Sequence, residues 1–231
     1  MSASSLYGPD YARRYREHDD QLQQSKPYHL FAEWLRGVCR QFAQPIDVLD
    51  LGCGTGRYFC ALTGVRELTG IDASVAMLEQ ARHPYNVAQV TAGSVSLLHG
   101  DLLTHDFAAA RFDLVYSVGV LAEHVPLGPA LVARVARWLV PGGRFAFTTV
   151  HPASPSIPRT LGRRVGEWIE PVTFGPLRRG LRGRVLAHGW YADEERVHEL
   201  LDRSFVVESL ERVVSEAHLH CLCVARKAGD R

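Results

Sequence analysis

Val48-Leu49-Asp50-Leu51-Gly52-Cys53-Gly54-Thr55-Gly56 is a short apolar run that ends in a turn built on glycine. The run reads as a buried strand, and Thr55 to Leu62 reads as the helix that follows it. Glycine at alternate positions lets the backbone pass close to a ligand with no Cβ in the way. A helix N-terminus behind such a turn favours a negative group. A dinucleotide-binding turn would carry G-x-G-x-x-G, but Arg57 stands where its last glycine would fall. The pattern is instead G-x-G-x-G with an acid, Asp50, two positions ahead. Alone, such a turn suits several nucleotide-like ligands, or tight packing with no ligand at all.

Outward from the turn, strands and helices alternate. Strands are expected at 46–51, 68–71, 95–99, 112–118 and 144–150. Helices fall between them, one capped by Ser74 and stopped by Pro84, another carrying Leu127, Leu131, Val135 and Trp138 at helical spacing. Pro141-Gly142-Gly143 reads as the turn into the fifth strand. A helix over 192–201 and strands at 205–210 and 218–225 complete the chain, the last two close enough to form a hairpin. Right-handed crossovers then predict an α/β fold: a doubly wound, mostly parallel seven-stranded sheet whose last strand is antiparallel at an edge. Ahead of it, Tyr28, Phe31, Leu35, Val38 and Phe42 mark a helix started by Ser25 and Pro27, and Tyr7, Tyr11 and Tyr15 lie four apart. The expected division is a helical cap, or lid, over 1–44 and one domain over 45–231, with an insertion at 155–189.

Bulk properties narrow the function classes. The chain has 231 residues, 46% hydrophobic and 22% charged, with a net charge of +1. That suits one domain with a filled core and shows no bias toward nucleic acid or an anionic membrane. Apolar runs are strand-length, short of the ~20 residues that span a bilayer. Met1 to Asp10 shows neither the basic start nor the apolar core of a signal peptide. The 5 cysteines follow no framework, which suits reduced thiols in a cytoplasm. Cys221 and Cys223 have one residue between them where a zinc pair usually has two, so they read as core residues and no metal is expected.

Two more acids give the turn its meaning. Asp72 ends the second strand 20 residues after Gly52, where a carboxylate can accept both hydroxyls of a ribose. Asp101 ends the third strand in Gly100-Asp101-Leu102. With Gly70-Ile71-Asp72-Ala73-Ser74, Phe112-Asp113-Leu114-Val115-Tyr116-Ser117 and Leu139-Val140-Pro141-Gly142-Gly143, these motifs stand in the order seen in class I, Rossmann-like S-adenosylmethionine-dependent methyltransferases. The chain resembles the small-molecule group of that family well over residues 46–150 and loosely at both ends. The resemblance implies S-adenosylmethionine as cofactor and S-adenosylhomocysteine as product. It implies that Asp50, Gly52, Cys53 and Gly54 hold the methionine end and that Asp72 binds the ribose. Ala73 would lie against the adenine, and Met77 would belong to the same cofactor-binding set. Asp101 and the Leu102 backbone would meet the adenine amino group and a ring nitrogen, and the Ser117 carbonyl would meet the ammonium.

The acceptor must lie past the fourth and fifth strands, where Glu123-His124 and His151 fall. A transferred methyl needs an acceptor held in line, and an O–H or N–H⁺ acceptor needs a base. His151 and His124 are therefore the candidate catalytic residues, each with a structural reading beside it. Tyr7, Tyr11, Tyr15, Glu123, His151 and Trp190 are candidates to touch substrate. Residues 155–189 are rich in Arg, with Trp168 and Phe174 interleaved. They read as a substrate-recognition lobe, a solvated loop or, least well, an RNA-binding patch. The expected activity is direct in-line transfer of a methyl group to a nitrogen, or else an oxygen, of a small cyclic metabolite. Nitrogen is favoured because no strong acid–base set stands out. The expected partner is that acceptor, with no nucleic acid and no membrane, for a monomer or homodimer. A non-catalytic cofactor-binding subunit, an RNA or protein methyltransferase and a nicotinamide oxidoreductase are the alternatives.

Overall fold

The computed structural model describes residues 8–22, 25–155, 157, 191–215 and 218–229. Two helices come first, α1 (Pro9–Asp19) and α2 (Lys26–Cys39). Ser25 caps α2 by accepting from the Tyr28 N–H at 3.4 Å. The chain then runs β1 (Ile46–Leu51), β2 (Val65–Asp72), α3 (Val75–Ala81), β3 (Ser94–His99), β4 (Phe112–Ser117), α4 (Pro129–Trp138), β5 (Leu139–Val150), α5 (Glu194–Leu201), β6 (Phe205–Ser215) and β7 (His218–Lys227).

The strands form one sheet in the order β3-β2-β1-β4-β5-β7-β6. The first five are parallel, and β7 runs antiparallel to both β5 and β6. The antiparallel strand is thus present but not at the edge; β7 slots between β5 and β6, and β6 is outermost. Strand order reverses between β1 and β4, which opens a crevice beyond their carboxyl ends. Because β7 is reversed, its first residues, from His218 on, lie at that same end of the sheet.

Alternation along the strands sends side chains into two cores. Val48, Leu68, Leu114, Ala146 and Val224 face Leu35 and Val38 of α2. Leu49, Leu51, Val115, Phe145 and Cys223 face Leu131, Val135 and Trp138 of α4 and Val197 and Leu201 of α5. A fully buried leucine such as Leu35 contributes about 1.5–3 kcal/mol to such a core. Cys221 and Cys223 are both buried, in keeping with a core role.

Two local expectations are corrected. Thr55 to Leu62 is not an α-helix: after the glycine turn comes only a 3-10 turn at Phe59–Ala61, and Leu62 is already extended. Gly56 sits at φ +74°, off the helical path, while Phe59 packs into the core beneath α2. No α-helix N-terminus therefore stands behind the turn. Pro141-Gly142-Gly143 lies inside β5, as an irregularity between the pairs Phe112↔Leu139 and Leu114↔Arg144.

Candidate cofactor and acceptor site

The glycine turn hangs on β2. The N–H groups of Gly52 and Cys53 both donate to the Ile71 carbonyl, at 2.9 and 3.0 Å. Gly52 has φ +78°, and a Cβ there would stand 2.8 Å from both Val120 methyls. Gly54 has φ +53°, and a Cβ there would meet only the Met77 methyl at 3.5 Å, so the backbone is open to a ligand.

Asp72 closes the other side. One carboxylate oxygen accepts from the Gly54 N–H at 2.9 Å and the other from the Ser74 N–H at 2.8 Å. A carboxylate has about four lone-pair sites, so beside these bonds and a further one from the Ala73 backbone the group keeps room for an added donor. A ribose hydroxyl is a donor of that kind. Ser74 also caps α3 by accepting from the Met77 N–H at 3.2 Å, which fixes Met77 beside Gly54. Ala73 is half-buried, with its carbonyl 3.2 Å from His99 Nε2.

Asp50 lies beneath the turn, 4% exposed. It accepts from the Tyr116 hydroxyl on neighbouring β4 at 2.5 Å. Burial pushes its carboxyl up to about 7; the Tyr116 hydrogen bond opposes the shift and the nearby Asp72 adds to it. Ser117 is buried, and its hydroxyl ties β4 to β1 by donating to the Leu51 carbonyl at 2.8 Å. Asp101 is exposed and shapes its own turn, accepting from the Leu103 N–H at 2.8 Å; Leu102 is buried with Phe107 in the α4-side core. Apart from Met77, on α3, the residues expected of the cofactor site follow the ends of β1, β2, β3 and β4. These features fit an adenosyl ligand with a ribose diol and an amino acid tail.

Over the turn lies α1. Asp19 is fully buried and takes a hydrogen bond from Thr55 Oγ1 at 2.5 Å. Its other oxygen accepts from Arg57 Nε at 2.7 Å and pairs with Arg57 Nη2 at 2.6 Å. The Arg57 guanidinium stacks 4.3 Å above the Tyr15 ring, and Tyr15 stacks on Tyr11 at 5.9 Å. Tyr15 also has Glu123, from the loop after β4, as a charged neighbour. Tyr15, beneath the Arg57 guanidinium, therefore lies near both the cofactor turn and that loop. Arg57 and Asp19 were not legible as partners, because nothing local links residues so far apart.

Glu123 and His124 follow β4 in a loop held by Ala122 at φ +58° and by the His124 N–H donating to the Val120 carbonyl at 2.9 Å. The Glu123 carboxylate lies 3.8 Å from His124 Nε2. Burial raises its pKa, while His124 and His218 pull it down. His218 and His220, at the start of β7, were not singled out from the sequence. His220 pairs with Val150, packs edge-on against Phe31 at 5.2 Å and lies 5.7 Å from the His218 ring. Burial holds His220 down to about 4, that is, neutral. His151 leaves β5 with both ring nitrogens engaged: Nδ1 accepts from the Ala153 N–H at 2.9 Å, and Nε2 lies 3.3 Å from Glu194. Arg212 in turn donates to Glu194 at 2.7 Å. Tyr7, Trp190 and nearly all of 155–189 lie outside the described residues.

Residues 48–143 match the family described as Methyltransferase domain. The fold and motifs are those of the class I S-adenosylmethionine-dependent methyltransferases. Among curated relatives, the O-methyltransferase cnsE of Penicillium expansum is 32% identical over 58% of this chain and 49% of its own. The malonyl-[acyl-carrier protein] O-methyltransferase of Pseudescherichia vulneris is 38% identical over 57% of this chain and 59% of its own. Phosphoethanolamine N-methyltransferase 1 of Triticum aestivum is 33% identical over 51% and 25%. The chain thus spans about half, or less, of the curated relatives it matches. Magnesium protoporphyrin IX methyltransferase of Synechocystis PCC 6803, solved with S-adenosylhomocysteine, superposes with TM-score 0.64 at 17% identity, over 97% of this chain and 98% of that one. The N-methyltransferase NodS of Bradyrhizobium japonicum WM9, solved with the same product, gives TM-score 0.65 at 15% identity, over 95% and 97%.

Proposed function

We propose that the chain transfers a methyl group from S-adenosylmethionine to an oxygen of a small, cyclic acceptor. The observation that carries it is Asp72, held by the N–H groups of Gly54 and Ser74 with room left for a further donor, at the lip of an open glycine turn. Asp50, Gly52, Cys53, Gly54, Asp72, Ala73, Met77, Asp101, Leu102 and Ser117 form the cofactor-binding set. The cofactor supplies a sulfonium methyl that is already electrophilic. The chain then has to hold an acceptor in line with it and take up the acceptor's proton. Tyr11, Tyr15, Glu123 and His124 line the acceptor side. Glu123 is the proton acceptor, because burial raises its carboxylate toward the range where a base is effective. His151, with both nitrogens engaged, orients the loop that follows β5 in place of the catalytic role first expected of it.

Oxygen is preferred to nitrogen because cnsE and the malonyl-carrier enzyme are O-methyltransferases. Nitrogen remains the second reading, favoured by the likeness to the phosphoethanolamine enzyme. The protein acts in biosynthesis, in a cytoplasm, as a monomer or homodimer with a cap over 1–44 and a catalytic domain over 45–231; its five buried free thiols suit that compartment. The test is incubation with methyl-labelled cofactor and a panel of phenols, carboxylic acids, amines and heteroaromatic bases. Label on oxygen is expected; label confined to nitrogen overturns the choice of atom. Absence of S-adenosylhomocysteine binding by calorimetry overturns the reading itself.

A further inference from the structure

α1 is held down chiefly by polar contacts. Of its own residues only Ala12 and Asp19 are buried, and Tyr11 is 39% exposed. What attaches it is Asp19 on Thr55 and Arg57, Tyr15 beneath the Arg57 guanidinium, and Arg16. The Arg16 side chain donates to the His83 carbonyl at 3.0 Å and the Pro84 carbonyl at 3.4 Å, just past α3. A helix with so little apolar burial belongs to the low-stability end of a structure, where docked and undocked states exchange. Thr55 and Arg57 are part of the glycine turn and its first neighbour. Their side chains point at α1, while the backbone at Gly54 and the carboxylate of Asp72 are left for a ligand.

We propose that Asp19 is a positioning residue for the cofactor: it fixes the glycine turn through Thr55 and Arg57, so that docking of α1 and filling of the turn strengthen each other. This rests on the reading that the turn binds S-adenosylmethionine. The undocked turn loses a buried carboxylate and the two side chains it fixes, and must be ordered again when the ligand enters. Linkage makes the effect reciprocal: whatever factor α1 adds to ligand affinity, the ligand adds to α1 docking. Since α1 also carries Tyr11 and Tyr15, the acceptor side would then be completed only after the cofactor is in place.

The probe is S-adenosylhomocysteine, measured by calorimetry and by amide hydrogen exchange of residues 12–19 in the whole protein. Asp19→Asn keeps the shape but loses the charge. It is expected to weaken binding at least tenfold, about 1.4 kcal/mol. In the wild type the ligand is expected to slow exchange in α1 at least tenfold. In the variant that protection should shrink by the same factor as the affinity. Arg57→Lys, which keeps the charge but not the planar fork, should fall between. If Asp19→Asn does not fold, Thr55→Val removes one donor only and should weaken binding about threefold with a matching loss of α1 protection. A variant that melts earlier yet binds as tightly as wild type overturns the proposal, as does α1 exchange indifferent to the ligand. Failure of the wild type to bind at all instead defeats the cofactor assignment on which it stands.

Discussion

Tyr116 donates its hydroxyl to Asp50 at 2.5 Å across the β1–β4 seam, in the most deeply buried part of the candidate site. Burial sets the Asp50 carboxyl near 7, against an ordinary 3.8. The folded chain therefore holds a proton that the unfolded chain has lost over that interval. Stability falls as pH rises from about 4 through about 7. At 1.36 kcal/mol per unit, three units bound the effect at about 4 kcal/mol. In urea unfolding of the ligand-free protein this carboxyl should favour pH 5 over pH 8, offset in part by His220, which burial holds neutral where the unfolded chain charges it. Asp50→Asn should narrow that gap without closing it, because Asp19, Asp72 and Glu123 are raised too. An unchanged gap would mean that Asp50 is ionised in the fold.

Gly52 combines a positive φ with a crowded Cβ position. Gly52→Ala should cost about 2–4 kcal/mol, adding left-handed strain to overpacking against Val120. It should also abolish S-adenosylhomocysteine binding. Adding Val120→Ala removes the clash but not the strain, so the double variant should recover part of the loss in melting temperature. Full recovery would show that strain contributes nothing.

Glu123→Gln should leave affinity for S-adenosylhomocysteine unchanged while lowering the rate of methyl transfer by a factor of about 10²–10⁴. In the wild type the rate should fall as pH drops through the raised Glu123 pKa, and this acidic limb should vanish in the variant. A limb that persists assigns the titration elsewhere.

The His151–Glu194–Arg212 chain predicts the opposite pattern. The Arg212 hydrogen bond holds the Glu194 carboxyl down to about 2, and burial lowers the His151 pKa, with Glu194 opposing. Glu194→Gln should cost about 1 kcal/mol of stability and change the transfer rate less than threefold. A hundredfold loss would restore His151 to acid–base work.

What was legible in the sequence was what repeats locally. Strand-length apolar runs, the caps at Ser25 and Ser74, and acids at strand ends place the sheet and the cofactor side. The exceptions are instructive. Thr55 to Leu62 falls where strand–helix alternation expects a helix, but Gly56 at φ +74° turns the chain away before one can start. The hairpin of β6 and β7 was visible, but not that β7 would insert beside β5, since edge and interior strands of this length share one alternation. His218 and His220 were passed over for the same reason, because their place at the crevice follows only from that insertion. Asp19 carries no local signal in the sequence; only the fold brings Arg57 and Thr55 to it.

One further consequence follows from how β5 hands over to α5. The Ala192 N–H donates to the Val150 carbonyl at 3.3 Å, and Thr149 Oγ1 donates to the Ala192 carbonyl at 2.9 Å. The chain therefore departs after Val150 and returns at Ala192 through a single closed doorway. Closing a loop depends only weakly on its length, so each doubling costs about 0.6 kcal/mol. A change of length in the return therefore costs little closure entropy for as long as this pair of hydrogen bonds, and those of His151 and Ser154 with the Leu219 backbone on β7, stay in place.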